Sequence, residues 1–95
     1  MAKIKLSKQS YEATREEGSV GELELKFQGL SGFSLDIKKG SLTDAVKYLE
    51  SEARKRGATH IFNLRCKTVY PQERPYIPFG HYEVIGDAYG PFKKQ

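Results

Sequence analysis

The chain has 95 residues, with 16 Lys and Arg against 12 Asp and Glu, for a formal net charge of +4. A chain this short holds one small core that removes roughly 60–65% of the unfolded surface from water, so it predicts a single, modestly stable domain that gains from oligomerisation. Its single cysteine excludes an internal disulfide framework and a CxxC pair for zinc or redox chemistry.

The reading that follows is a soluble, cytoplasmic protein without a membrane partner, since no apolar run reaches the length of a signal peptide or a spanning helix. Both signs of charge are spread along the chain, which suits solubility and permits a weak anionic partner.

Taken in chain order, residues 1–21 comprise a short strand around Ile4 to Leu6 and then a polar stretch. Residues 7–20 follow neither period and read as loop, with room for a helical turn at residues 11–17. In residues 22–38, Leu23, Leu25 and Phe27 alternate with Glu22, Glu24, Lys26 and Gln28, and Phe33, Leu35 and Ile37 alternate with Ser34, Asp36 and Lys38. These are half-buried strands, and Gly29-Leu30-Ser31-Gly32 between them predicts a β-hairpin.

A helix is expected over residues 41–56. The Ser41 hydroxyl can cap it, Asp44 lies in the first turn, and Leu42, Ala45, Val46, Leu49 and Ala53 build one apolar stripe. Gly57 ends it in a left-handed conformation, and Arg54, Lys55 and Arg56 face the negative end of its dipole. Residues 59–90 supply a second strand pair, residues 59–70 and 81–89, around a loop stiffened by Pro71, Pro75 and Pro78. The expected fold class is therefore α+β: a small single domain, residues 1–95, with a mostly antiparallel sheet and one main helix, in the order β-hairpin, α, β, β.

The register of the second pair follows if Phe62, Leu64 and Cys66 face the helix, because Tyr82, Val84, Gly86 and Ala88 then share that side. Cys66 is a buried structural thiol in this register. The other face carries Ile61, Asn63, Arg65 and Lys67 with Ile85, Asp87 and Tyr89, and predicts a cross-strand ion pair of Arg65 with Asp87.

From about residue 45 onward, the run Leu49-Glu50-Ser51-Glu52-Ala53-Arg54-Lys55-Arg56-Gly57-Ala58-Thr59-His60-Ile61-Phe62-Asn63-Leu64-Arg65, followed by Val84-Ile85-Gly86-Asp87-Ala88-Tyr89-Gly90, resembles the YbjQ or heavy-metal-binding domain family and, more distantly, the core of the RcsF lipoprotein. The resemblance covers roughly half the chain. It implies a compact sheet carrying one helix, in a family whose better-known members look like ring-forming oligomers. It names no catalytic residue, cofactor or substrate.

Chemistry-bearing residues are sparse. A metal centre needs several converging ligands, and His60, His81, Cys66, Glu83 and Asp87 do not converge in one subunit; only an intersubunit site using His81 and Glu83 remains as a weak candidate. No nucleophile–base–orienter set, phosphate loop or HExxH is present, so the chain reads as non-enzymatic, with no catalytic residue assigned and the cofactor unknown. Tyr76 and Phe79, with Tyr70 and Tyr82, surround the proline loop and either line a partner site or fold the loop onto the sheet. A ligand or partner surface is expected at Arg65, Asp87, Tyr89, Tyr76 and Phe79. The expected function is a homo-oligomeric module for a small molecule or protein. The alternatives are a nucleic-acid-binding module using the basic clusters at residues 38–39, 54–56 and 93–94 with the open sheet face, and an enzyme of unspecified reaction.

Overall fold

Residues 3–31, 35–72 and 79–92 are described in a computed structural model of the chain. The elements are β1 (Lys5–Leu6), α1 (Tyr11–Glu16), β2 (Glu24–Ser31), β3 (Leu35–Asp36), α2 (Leu42–Lys55), β4 (His60–Val69) and β5 (His81–Gly90). Among the described residues five strands form one mixed sheet in the order β1-β4-β5-β2, with β3 also on β5. β1 runs parallel to β4, and the other pairs are antiparallel. This is the small α+β domain expected.

Helix α2 forms where its sequence places it. The Ser41 hydroxyl accepts from the Asp44 amide at 3.2 Å and the Asp44 carboxylate accepts from the Ser41 amide at 3.3 Å, a reciprocal capping box that satisfies two otherwise open amides. Gly57, at φ 84°, takes the left-handed conformation that ends the helix. The stripe Ala45, Leu49 and Ala53 is buried against Ile4, Ile61, Val84 and Ala88, which together make the core. The polar stretch after β1 folds onto the opposite side of the sheet. Ser10 caps α1 by accepting from the Ala13 amide at 3.3 Å, and this short helix delivers Tyr11 onto the sheet.

The expected hairpin is absent. β2 and β3 do not pair with each other; each pairs with β5, β2 alongside residues 85–90 and β3 alongside residues 81–82. The chain therefore runs on in one direction as an interrupted strand. At Gly29 (φ 63°) it makes no reversal: its amide donates to the Asp87 carboxylate at 2.8 Å, beside the ladder irregularity between Phe27 and Leu30. Glycine here supplies a bulge where the sequence suggests a turn. Residues 32–34, which include Phe33, lie outside the described residues.

The register of β4 also departs from expectation at its start. Ile61 pairs with Ala88 and is 0% exposed in the core, whereas Phe62 pairs with Asp87 on the far side of the sheet. Asn63, with φ 55°, then carries a bulge, and Leu64 returns to the helix side, where it packs on the core. Asparagine tolerates this left-handed conformation better than most residues. Gly86 permits the close approach of Ile61, since a Cβ at residue 86 would lie 2.5 Å from the Ile61 methyl Cγ2. Tyr82, Val84 and Ala88 lie on the helix side as expected, whereas Cys66, although paired with the buried Val84, is exposed.

Candidate functional site

The register of β4 on β5 decides the fate of the expected partner surface. It places Arg65 opposite Ile85 and Asp87 opposite Phe62, so the Arg65–Asp87 cross-strand pair does not form; Asp87 instead accepts from the Gly29 amide. Arg65 is an exposed side chain on the second half of β4, and Asp87 is a buttress for β2.

Tyr89 lies on the side of the sheet away from α2, as expected, but that side is not open there. Tyr11 stacks on it with ring centroids 4.3 Å apart, and Phe62 meets both rings at 5.5 Å. The Tyr11 hydroxyl accepts from the Leu23 amide at 2.9 Å and reaches the Gly21 carbonyl at 3.3 Å, which ties α1 to the segment before β2. Burial raises the Tyr89 phenol above its ordinary range, and Glu12, Asp87 and Tyr11 add to the effect. His60 stacks on Phe62 at 5.6 Å with nearly parallel rings, and its pKa is lowered by burial first and by Lys5 second. These four rings hold α1 on the sheet.

His81 and Glu83 are brought together, with Nε2 and Oε2 3.2 Å apart. His81 is 1% exposed, however, and its Nδ1 has no hydrogen-bond partner among the described residues. A metal shared between subunits needs an accessible imidazole lone pair, and in this chain the His81 ring is shut off from solvent. Among the described residues no cluster of three or more His, Cys, Asp and Glu side chains is arranged to hold a metal ion. Phe79 is exposed, with its ring nearly perpendicular to that of His81 and the centroids 6.5 Å apart; Tyr76 lies outside the described residues.

The basic cluster at the end of α2 is largely absorbed by its own helix. Lys55 and Arg56 each reach the Glu52 carboxylate at 3.2 Å, and the Arg56 guanidinium lies 4.2 Å over the Phe27 ring. The hydrogen bond from Lys55 is the largest influence holding the Glu52 carboxyl below its ordinary range. Part of the positive field expected to attract nucleic acid is thus neutralised on the spot.

Between β1 and the first half of α2 runs an open groove with Leu6, Leu42 and Val46 on its walls, and Lys3, Lys47 and Glu50 at its rim. Leu6 and Leu42 are each 38% exposed there. The alternation Lys3-Ile4-Lys5-Leu6 signals an edge strand, but nothing in the sequence places α2 beside it. The groove's chemistry is that of docking: apolar walls, backbone polar groups and cations.

The chain matches no protein-family model, and no similar curated protein or solved structure was found for it.

Proposed function

We propose that this domain is a non-enzymatic binding module that assembles with copies of itself and takes a small molecule or a protein at the margins of its sheet. The observation that carries this reading is the groove beside β1, where a strand edge without a neighbour among the described residues adjoins exposed Leu6 and Leu42. Open edges with adjacent apolar surface are sites of association. The resemblance to a family of ring-forming oligomers supports the same reading. Among the described residues the converged groups are few: a buried His81 beside a half-buried Glu83, and a ring cluster that holds α1.

Native mass spectrometry of untagged protein purified without chelator tests it. Multiples of the 10.8 kDa chain, or a chain carrying added mass, are expected. A bare monomer that retains nothing at any concentration overturns the reading.

A further inference from the structure

The backbone of β1 is polarised across its two edges. The Lys5 amide donates to the Thr59 carbonyl at 3.1 Å, the Ser7 amide to the Ile61 carbonyl at 2.9 Å, and the Ser7 carbonyl accepts from the Leu64 amide at 3.0 Å. Residues 5 and 7 therefore face β4. By the alternation of an extended chain, the amides and carbonyls of Ile4 and Leu6 point outward, where no described strand pairs with them.

Side chains alternate as well. Ile4 is buried towards α2, Leu6 follows it on that side, Lys5 projects from the other, and Lys3 stands at the rim of the groove. A strand laid beside β1 would thus set every second residue into the groove formed with Leu42 and Val46, beneath the rim that carries Lys3, and the residues between them on the side of Lys5. Lys47 adds a third cation, and Glu50 is the one acid lining the groove among the described residues.

We propose that the groove between the outer edge of β1 and α2 receives an extended segment of another protein in which acidic residues alternate with apolar ones, added to the sheet as a further strand. This rests on the reading of the domain as a binding module and supplies the chemistry of its partner. Main-chain hydrogen bonds to Ile4 and Leu6 hold the segment, the apolar residues fill the groove, and the acidic ones meet the lysines. The chain's own Glu22-Leu23-Glu24-Leu25 has this pattern but is engaged at home: the Leu23 amide is bonded to the Tyr11 hydroxyl and Glu22 pairs with Arg15 at 2.6 Å. A foreign segment has no such bonds to break.

The test is fluorescence anisotropy of the full chain, at low salt, with a fluorescein-labelled, C-terminally amidated Glu-Val-Glu-Val-Glu-Val-Glu peptide and its Lys-for-Glu counterpart. The acidic peptide is expected to bind and the basic one not. Leu6→Pro removes an outward amide without touching the ladder to β4, so it abolishes binding while circular dichroism and Tm keep their wild-type values. Should Leu6→Pro fail to fold, Lys3→Glu with Lys5→Glu changes two exposed side chains and is expected to weaken binding by about tenfold or more. Equal binding of the two peptides, or binding untouched by these substitutions, overturns the inference. If Leu6→Pro instead turns a wild-type oligomer into a monomer, the occupant is a second copy and the foreign segment is ruled out. An oligomer unaffected by Leu6→Pro and unable to bind the acidic peptide removes this inference but leaves the broader module reading intact, whereas a bare monomer removes that reading.

Discussion

The two halves of β4 are one strand with two fates. Residues 60–64 are gripped from both flanks: β5 on one side, and on the other the chain after β1, through the Ser7 and Gln9 carbonyls, which accept from the Leu64 and Asn63 amides at 3.0 and 2.8 Å. Residues 65–68 have β5 alone among the described residues, and all four are exposed. Arg65 and Lys67 stand on this free edge, and charge there discourages indiscriminate strand pairing. The free edge of β1 differs in having apolar walls beside it. The docking proposed at β1 rests on both features together, an unpaired edge and the apolar walls of Leu6, Leu42 and Val46.

The contrast between the halves can be broken most severely at Ile61. Ile61→Ala leaves a cavity beneath α2 and is expected to cost about 2–5 kcal/mol in urea denaturation; a loss below about 1 kcal/mol would show that the gripped half is not the stabilising half. Next comes the hinge between them. Asn63→Val forces a β-branched residue into a left-handed backbone and is expected to cost about 1–2 kcal/mol, whereas Asn63→Gly should be nearly neutral. Equal losses for the two would mean that the asparagine side chain, not the backbone, makes the bulge.

A smaller effect is expected from pH at His60, in the gripped half. Its folded pKa lies below the ordinary value of about 6.5, so the folded state binds fewer protons than the unfolded one as pH falls. The resulting stability is complete above that ordinary value and is lost on acidification towards the lowered folded pKa. Thermal unfolding from pH 7.5 to 5 should show a decline that His60→Gln flattens; parallel profiles for the two proteins would assign the decline to other groups. Smallest of all is Cys66→Ser on the exposed half, expected within about 0.5 kcal/mol of wild type. In the native protein, iodoacetamide should alkylate Cys66 without denaturant, and a protected thiol would mean that the free edge is covered in solution.

What the sequence discloses and what it hides follow from the same physics. α2 is legible because its signals are local: Ser41 and Asp44 cap each other, Leu49 and Ala53 fall on one stripe, and Gly57 stops the turn. The alternation around residues 61–66 leaves register open, since Ile61 and Phe62 are both apolar and a period of two fits either. Only packing chooses, placing Ile61 beside Gly86 and Phe62 beside Tyr11. Phe62 therefore pairs with Asp87 and Arg65 with Ile85, which is why Arg65 and Asp87 do not meet. Gly29 presents the same ambiguity, because a glycine that permits a turn equally permits a bulge. The ring cluster is hidden for another reason: residues 7–20 have no period, so the role of Tyr11 emerges only when its partners, some eighty residues away at Tyr89, are brought up by the sheet.

The Tyr11–Tyr89 stack carries a practical consequence. The chain contains six tyrosines and no tryptophan, so its near-ultraviolet circular dichroism comes mainly from tyrosine, and two rings 4.3 Å apart and 24° from parallel are placed for strong coupling of their transitions. That signal reports on whether α1 is seated, independently of the far-ultraviolet bands that follow α2 and the sheet. Detachment of α1 ahead of global unfolding can therefore be watched optically in the unlabelled protein.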